Sequence, residues 1–245
     1  MTDQGFGRRD FLKTAVVGGA AAATTGIAQP SSAQTQQSAA AAAAAPPPAS
    51  PSIPEGYEFL NLAEAAFVEA LVDHMVPADA LSPKGTDIGI NVYIDHALAG
   101  AWGNGDRLYM QGPWKPGVPN QGYQLPLTPA QLYRAGIAAT NAHCIKTYGK
   151  TFDRLDAAQR EAVLVALSAG KLAFDNGLPS RVFWSTVYET VMQGMFADPI
   201  YGGNRNKAGW RMLGFPGAIA VNRENVAKYR DKEFPTDPVG IADLS

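Results

Sequence analysis

Residues 180–196 read SRVFWSTVYETVMQGMF, and the fold turns on this stretch. Phe183, Trp184, Val187, Tyr188, Val191, Met192, Met195 and Phe196 recur at steps of three and four, the period of a helix. They cover a wide arc, so the helix is expected at the centre of a core and not on its rim. Ser180, after Pro179, is expected to cap it.

The same period recurs upstream. Asp156 with Gln159 opens a helix whose Val163, Leu164 and Leu167 face inward, with Gly170 near its end. Thr128-Pro129-Ala130-Gln131 combines a Thr cap, a proline at the first helical position and a Gln able to reach back, so a helix runs from there to about Tyr148. One face of it carries Ala135, Ala138, Ala139 and Ala142, small enough for close helix contact; another carries Tyr133, Ile137, Cys144 and Tyr148. A shorter helix spans Ile90 to Ala99. Asn61 with Glu64 forms a capping box ahead of the stripe Phe67, Val68, Leu71, Val72, Met75 and Val76, which Pro77 ends. No alternating β-branched run is long enough for a strand. The fold class is all-α: a single irregular helical domain, residues 55–245, with long Gly/Pro-rich loops.

Two segments interrupt the helices. Residues 101–126 are rich in Gly and Pro and carry Trp102, Tyr109, Trp114 and Tyr123. Loops of this length inside a compact domain are uncommon and often functional, and Trp and Tyr dominate interface hot spots. Two readings stand: a partner surface, or a lid folded back on its own core. The second segment runs from Asp198-Pro199 through Tyr201-Gly202-Gly203-Asn204 to Gly209-Trp210 and Gly217. Its glycines and asparagines suit left-handed backbone in a rigid turn closing the domain. A phosphate cradle is excluded, since no Lys-Ser/Thr pair follows a strand.

The first 54 residues read as an address and a tether. Arg8-Arg9, followed by Phe11-Leu12-Lys13, resembles the twin-arginine export signal, with Gly7 where Ser or Thr is usual. The apolar run from Thr14 to about Ala28 is too short and too rich in Ala and Gly to span a membrane. Small residues place cleavage after Ala28 or Ala33, so the signal occupies residues 1–33. Residues 34–54 are uncharged Gln, Ala, Pro and Ser, unable to bury enough apolar area to offset ordering, and read as a disordered linker. What remains, roughly 190 residues, is one domain's worth.

The formal net charge of -2 gives no footprint for nucleic acid or for a basic membrane-binding face. Cys144 is the one cysteine, which rules out an internal disulfide and leaves a free thiol or a bond to another chain. His74, His96 and His143 do not stand at ligand-forming i, i+4 spacing, and neither a Gly-x-Ser-x-Gly elbow nor a dinucleotide fingerprint occurs. No catalytic, cofactor-binding or metal-ligating residue is assigned, and the chain is not expected to be an enzyme.

Asp73-His74-Met75-Val76-Pro77, together with Gly194-Met195-Phe196-Ala197-Asp198-Pro199, Tyr201-Gly202-Gly203-Asn204 and Gly209-Trp210, resembles the gluconate 2-dehydrogenase subunit 3 family over about Tyr57 to Tyr229. The resemblance implies a non-catalytic small subunit of a periplasmic complex held at the inner membrane by its partners. A large subunit holding FAD oxidises a sugar or polyol, and often a membrane-anchored cytochrome c subunit with haem c passes the electrons on. The small subunit helps the large one mature and carries it across the membrane. The twin-arginine route exports folded proteins, so a cofactor-free chain bearing that signal reads as an escort. On this reading Trp102, Tyr109, Trp114, Tyr201, Asn204 and Trp210 meet the partner, and Cys144 forms an interchain disulfide with the large subunit or packs as a buried thiol. A stand-alone periplasmic enzyme and a small-ligand-binding protein are the alternatives.

Overall fold

Asn61 opens the first helix as its spacing requires. Its side-chain oxygen accepts from Ala63 N and Glu64 N, both at 3.0 Å, and the Glu64 carboxylate accepts in return from Asn61 N at 3.0 Å. The helix, α1, runs Leu62–Met75. In the computed structural model, the described residues are 56–106, 108–115, 117–218 and 223–244. The expected export signal with Arg8, Arg9, Phe11 and Leu12, its cleavage site and the linker lie outside them.

Seven further helices follow: α2 (Gly85–Ile88), α3 (Ile90–Ala99), α4 (Pro129–Tyr148), α5 (Ala157–Ser168), α6 (Ser180–Phe196), α7 (Ala208–Leu213) and α8 (Arg223–Lys228). No strand occurs among the described residues, where one isolated parallel bridge pairs Gly217 with Val239. The fold is all-α, as expected. Thr128 with Gln131 and Asp156 with Gln159 both form the capping boxes their spacing implies. Ser180 does not cap α6. The chain is extended at Pro179, which is the N-cap, and Ser180 is already the first helical residue, with no side-chain capping bond. Residues of α2, α7 and α8 carry no predicted helix, because four to six residues are too few to show a period.

Helix α6 is the centre of the core. Phe183, Val187 and Val191 are buried, and the helix packs against α3, α4, α5 and α7. Each fully buried Phe or Val is worth about 1.5–3 kcal/mol over its exposed state. The close approach of α4 to α6 rests on Gly136, where a Cβ would lie 2.2 Å from the Phe183 ring. The expected alanine face divides: Ala135 and Ala139 are half-buried and pack against the core, while Ala138 and Ala142 are exposed. On the same α6-facing side as Gly136, Tyr133 is buried, and its hydroxyl hydrogen-bonds Thr190 Oγ1 of α6. Burial holds the Tyr133 hydroxyl far above its ordinary pKa, so it stays protonated.

Asp95 on α3 positions the entry to α1. It is buried, and its carboxylate accepts from Glu58 N at 2.7 Å, Phe59 N at 3.0 Å and Leu60 N at 2.8 Å. Three backbone donors compensate for the desolvation of the buried carboxylate. Beside it, the Arg134 guanidinium sits 4.4 Å over the Phe59 ring.

Candidate partner-binding surface

The turn after α6 is built around Asn204, which is wholly buried at φ 46°, in left-handed backbone that Asn tolerates better than most residues. Its Nδ2 donates to Ala197 O at 2.9 Å, its Oδ1 accepts from Gly209 N at 2.9 Å, and its own N–H donates to Gly194 O at 2.8 Å. One side chain thereby ties the end of α6 to the start of α7. The approach is so close that a Cβ at Gly203 would lie 2.2 Å from Gly194 O, and one at Gly209 2.2 Å from Met195 O. Trp210 completes the seam: it is buried, its Nε1 donates to Phe196 O at 2.7 Å, and its ring meets Phe215 edge-on. Asn204 and Trp210, expected at a partner surface, therefore face inward, with their polar atoms engaged inside the domain. This half of the expectation is corrected, and the reading of the segment as a rigid structural turn is the one that fits.

The outer rim of the same turn is different. Tyr201 is 56% exposed and Ile200 48%. The C-terminal segment is strapped beside them. Asp198 Oδ1 accepts from Ile200 N at 3.0 Å while its Oδ2 accepts from Ile241 N at 2.8 Å, and Lys207 pairs with Asp243. Ile241 and Leu244 are also exposed. Four apolar side chains, Ile200, Tyr201, Ile241 and Leu244, thus ride on two short 3-10 turns, Pro199–Tyr201 and Ile241–Leu244, which contact each other. Sequence reasoning found Tyr201 but not its neighbours, because the two turns lie far apart along the chain and are brought together by tertiary bonds such as the one from Ile241 N to Asp198.

The loop 101–126 divides between its two readings. Its ends fold back. Trp102 and Tyr123 are half-buried against the core, Tyr123 donates to Leu127 O at 2.6 Å, and Gly103 O accepts from Ala130 N at 3.0 Å at the start of α4. Burial pushes the Tyr123 hydroxyl up to about 12. The middle projects: Tyr109 is 77% exposed, and Trp114 is half-buried.

Cys144 sits on the inner face of α4, wholly buried within the core cluster. Burial pushes its thiol up to about 11. A bond to another chain needs a sulfur at the surface, so the packed-thiol reading fits the structure and the interchain disulfide does not. The histidines are scattered. His74 Nε2 lies 2.8 Å from Glu161 Oε2, linking α1 to α5, while His96 faces Gly202 under the turn and His143 lies on the outer side of α4. Among the described residues no group of three or more His, Cys, Asp or Glu is placed to hold a metal ion. No helix among them is long and apolar enough to cross a membrane.

A model of the family described as gluconate 2-dehydrogenase subunit 3 matches residues 63–217, from the first turn of α1 to the Gly217 bridge. No curated protein and no solved structure matches the chain.

Proposed function

The chain belongs to the gluconate 2-dehydrogenase subunit 3 family, the small subunit of a dehydrogenase complex, and on that premise we propose that it is a non-catalytic escort for a FAD-containing catalytic subunit. It binds that subunit inside the cell, helps it mature, and carries it to the periplasm on the twin-arginine signal around Arg8 and Arg9. The catalytic subunit oxidises a sugar or polyol. The observation that carries the proposal is the match across 63–217, which includes the whole of α6 and the Asn204 turn.

The docking surface is the exposed rim: Tyr201 with Ile200, Ile241 and Leu244, together with Tyr109 on the loop. Exposed aromatic and aliphatic side chains raised on rigid backbone suit a partner contact, since they lose little conformational freedom on binding. Asp198 and Asn204 supply that rigidity from beneath.

Replacing Arg8 and Arg9 by Lys tests the escort role. Fractionation should find both this chain and the FAD subunit retained in the cytoplasm. A FAD subunit that still reaches the periplasm would sink the proposal.

A further inference from the structure

The N-terminal end of α6 meets a cleft of about 300 Å³ whose walls include Gly170, Leu172, Phe174, Leu178 and Arg181. Ser180 lines it, only 3% exposed, and its Oγ has no hydrogen-bond partner in the chain. Buried hydroxyls are rarely left so, because an unmade bond costs more than a made one gains. The helix end is open as well. Pro179 has no side-chain acceptor to offer, and Val182 N and Phe183 N both turn to Pro179 O. The Ser180 and Arg181 N–H groups have no acceptor among the described residues. Three unpartnered donors therefore lie together in the first turn, at the positive end of a 17-residue helix.

The surrounding charge has the matching sign. The Arg181 stem lies over Gly170, within 3.3 Å of where a Cβ would stand, which keeps the side chain at the rim of the cleft. Neither Arg181 nor the adjacent Lys171 has an ion-pair partner among the described residues, and no carboxylate lines the cleft.

We infer that this cleft is an oxyanion-binding site, taking a carboxylate or a phosphate-type group on the Ser180 hydroxyl, the first-turn N–H groups of α6 and the Arg181 guanidinium. The inference is independent of the proposed function. It also gives the buried hydroxyl a role that capping does not supply.

The test is a titration of the full ¹⁵N-labelled chain with inorganic phosphate, and in parallel with acetate, at constant ionic strength. The amide resonances of Ser180, Arg181 and Val182 should shift saturably. Binding should weaken roughly tenfold in Arg181→Ala and measurably in Ser180→Ala. Saturation with phosphate alone assigns a phosphate-type ligand, and saturation with both assigns the site to carboxylates too. The thermal midpoint of Ser180→Ala without added anion should equal or exceed that of the parent chain, since the hydroxyl satisfies nothing there. No saturable shift in either arm, equal affinity in parent and variants, or a lowered midpoint for Ser180→Ala would each overturn the inference.

Discussion

Replacing Asn204 by Ala is the sharpest probe of how the turn is held. The side chain makes two bonds, to Ala197 O and from Gly209 N, both at 2.9 Å and at a wholly buried position. Removing it strands one part-buried acceptor, Ala197 O, and one buried donor, Gly209 N, each costing about 1–3 kcal/mol. Alanine at φ 46° adds about 1 kcal/mol, because its Cβ crowds the backbone in the left-handed region where Asn finds compensation. The expected loss is about 3–7 kcal/mol. In a domain of this size each kcal/mol lowers the melting midpoint by about 2–4 °C, so the midpoint should fall by roughly 15 °C. Asn204→Gly loses the same bonds without the Cβ crowding, and should recover about 1 kcal/mol over Ala. Thermal and urea unfolding of the purified chain, followed by circular dichroism, reads both differences. An Ala variant within about 1 kcal/mol of the parent would show that the side chain does not hold the turn. A Gly variant less stable than Ala would refute the backbone half of the argument.

Three further outcomes follow from the structure. Tyr201→Ala should leave the melting midpoint unchanged, the residue being 56% exposed, yet weaken binding to the FAD subunit by about 1–2 kcal/mol in a calorimetric titration; unaltered affinity would move the docking surface elsewhere. Cys144, buried with its thiol pushed up to about 11, should resist alkylation at pH 8 in the native chain and react fully in denaturant, and native reactivity would contradict its packing. Burial alone would raise the Asp73 carboxyl, but the Lys84 ammonium at 2.9 Å and Thr86 N at 2.8 Å outweigh it and hold it below the ordinary value. A depressed folded value stabilises the domain above the unfolded value near about 4 and loses that contribution as the pH falls through it. Acid unfolding of Asp73→Asn should therefore lose stability less steeply below about pH 4 than the parent, and identical acid slopes would remove Asp73 from the account.

What was legible in the sequence was whatever is decided within a turn or two of chain. The caps at Asn61, Thr128 and Asp156 each satisfy a donor only three residues away, so residue type and spacing alone locate the starts of α1, α4 and α5. The stripe of α6 marks a central helix for the same reason: the helical period determines which side chains share a face. Tertiary structure decided everything that depends on what lies opposite a face. The alanines of α4 are as small as their letters say, but it is Gly136 that lies under Phe183, while Ala138 and Ala142 of the same face are exposed. Cys144 could not be placed until a neighbouring helix covered it. Tyr201 and Trp210 belong to one aromatic-rich turn, yet one meets solvent and the other the core, because Asn204 bonds across the turn to both Ala197 and Gly209. Burial is set by the assembled neighbours of a residue. A chain read in order shows only the neighbours before and after it.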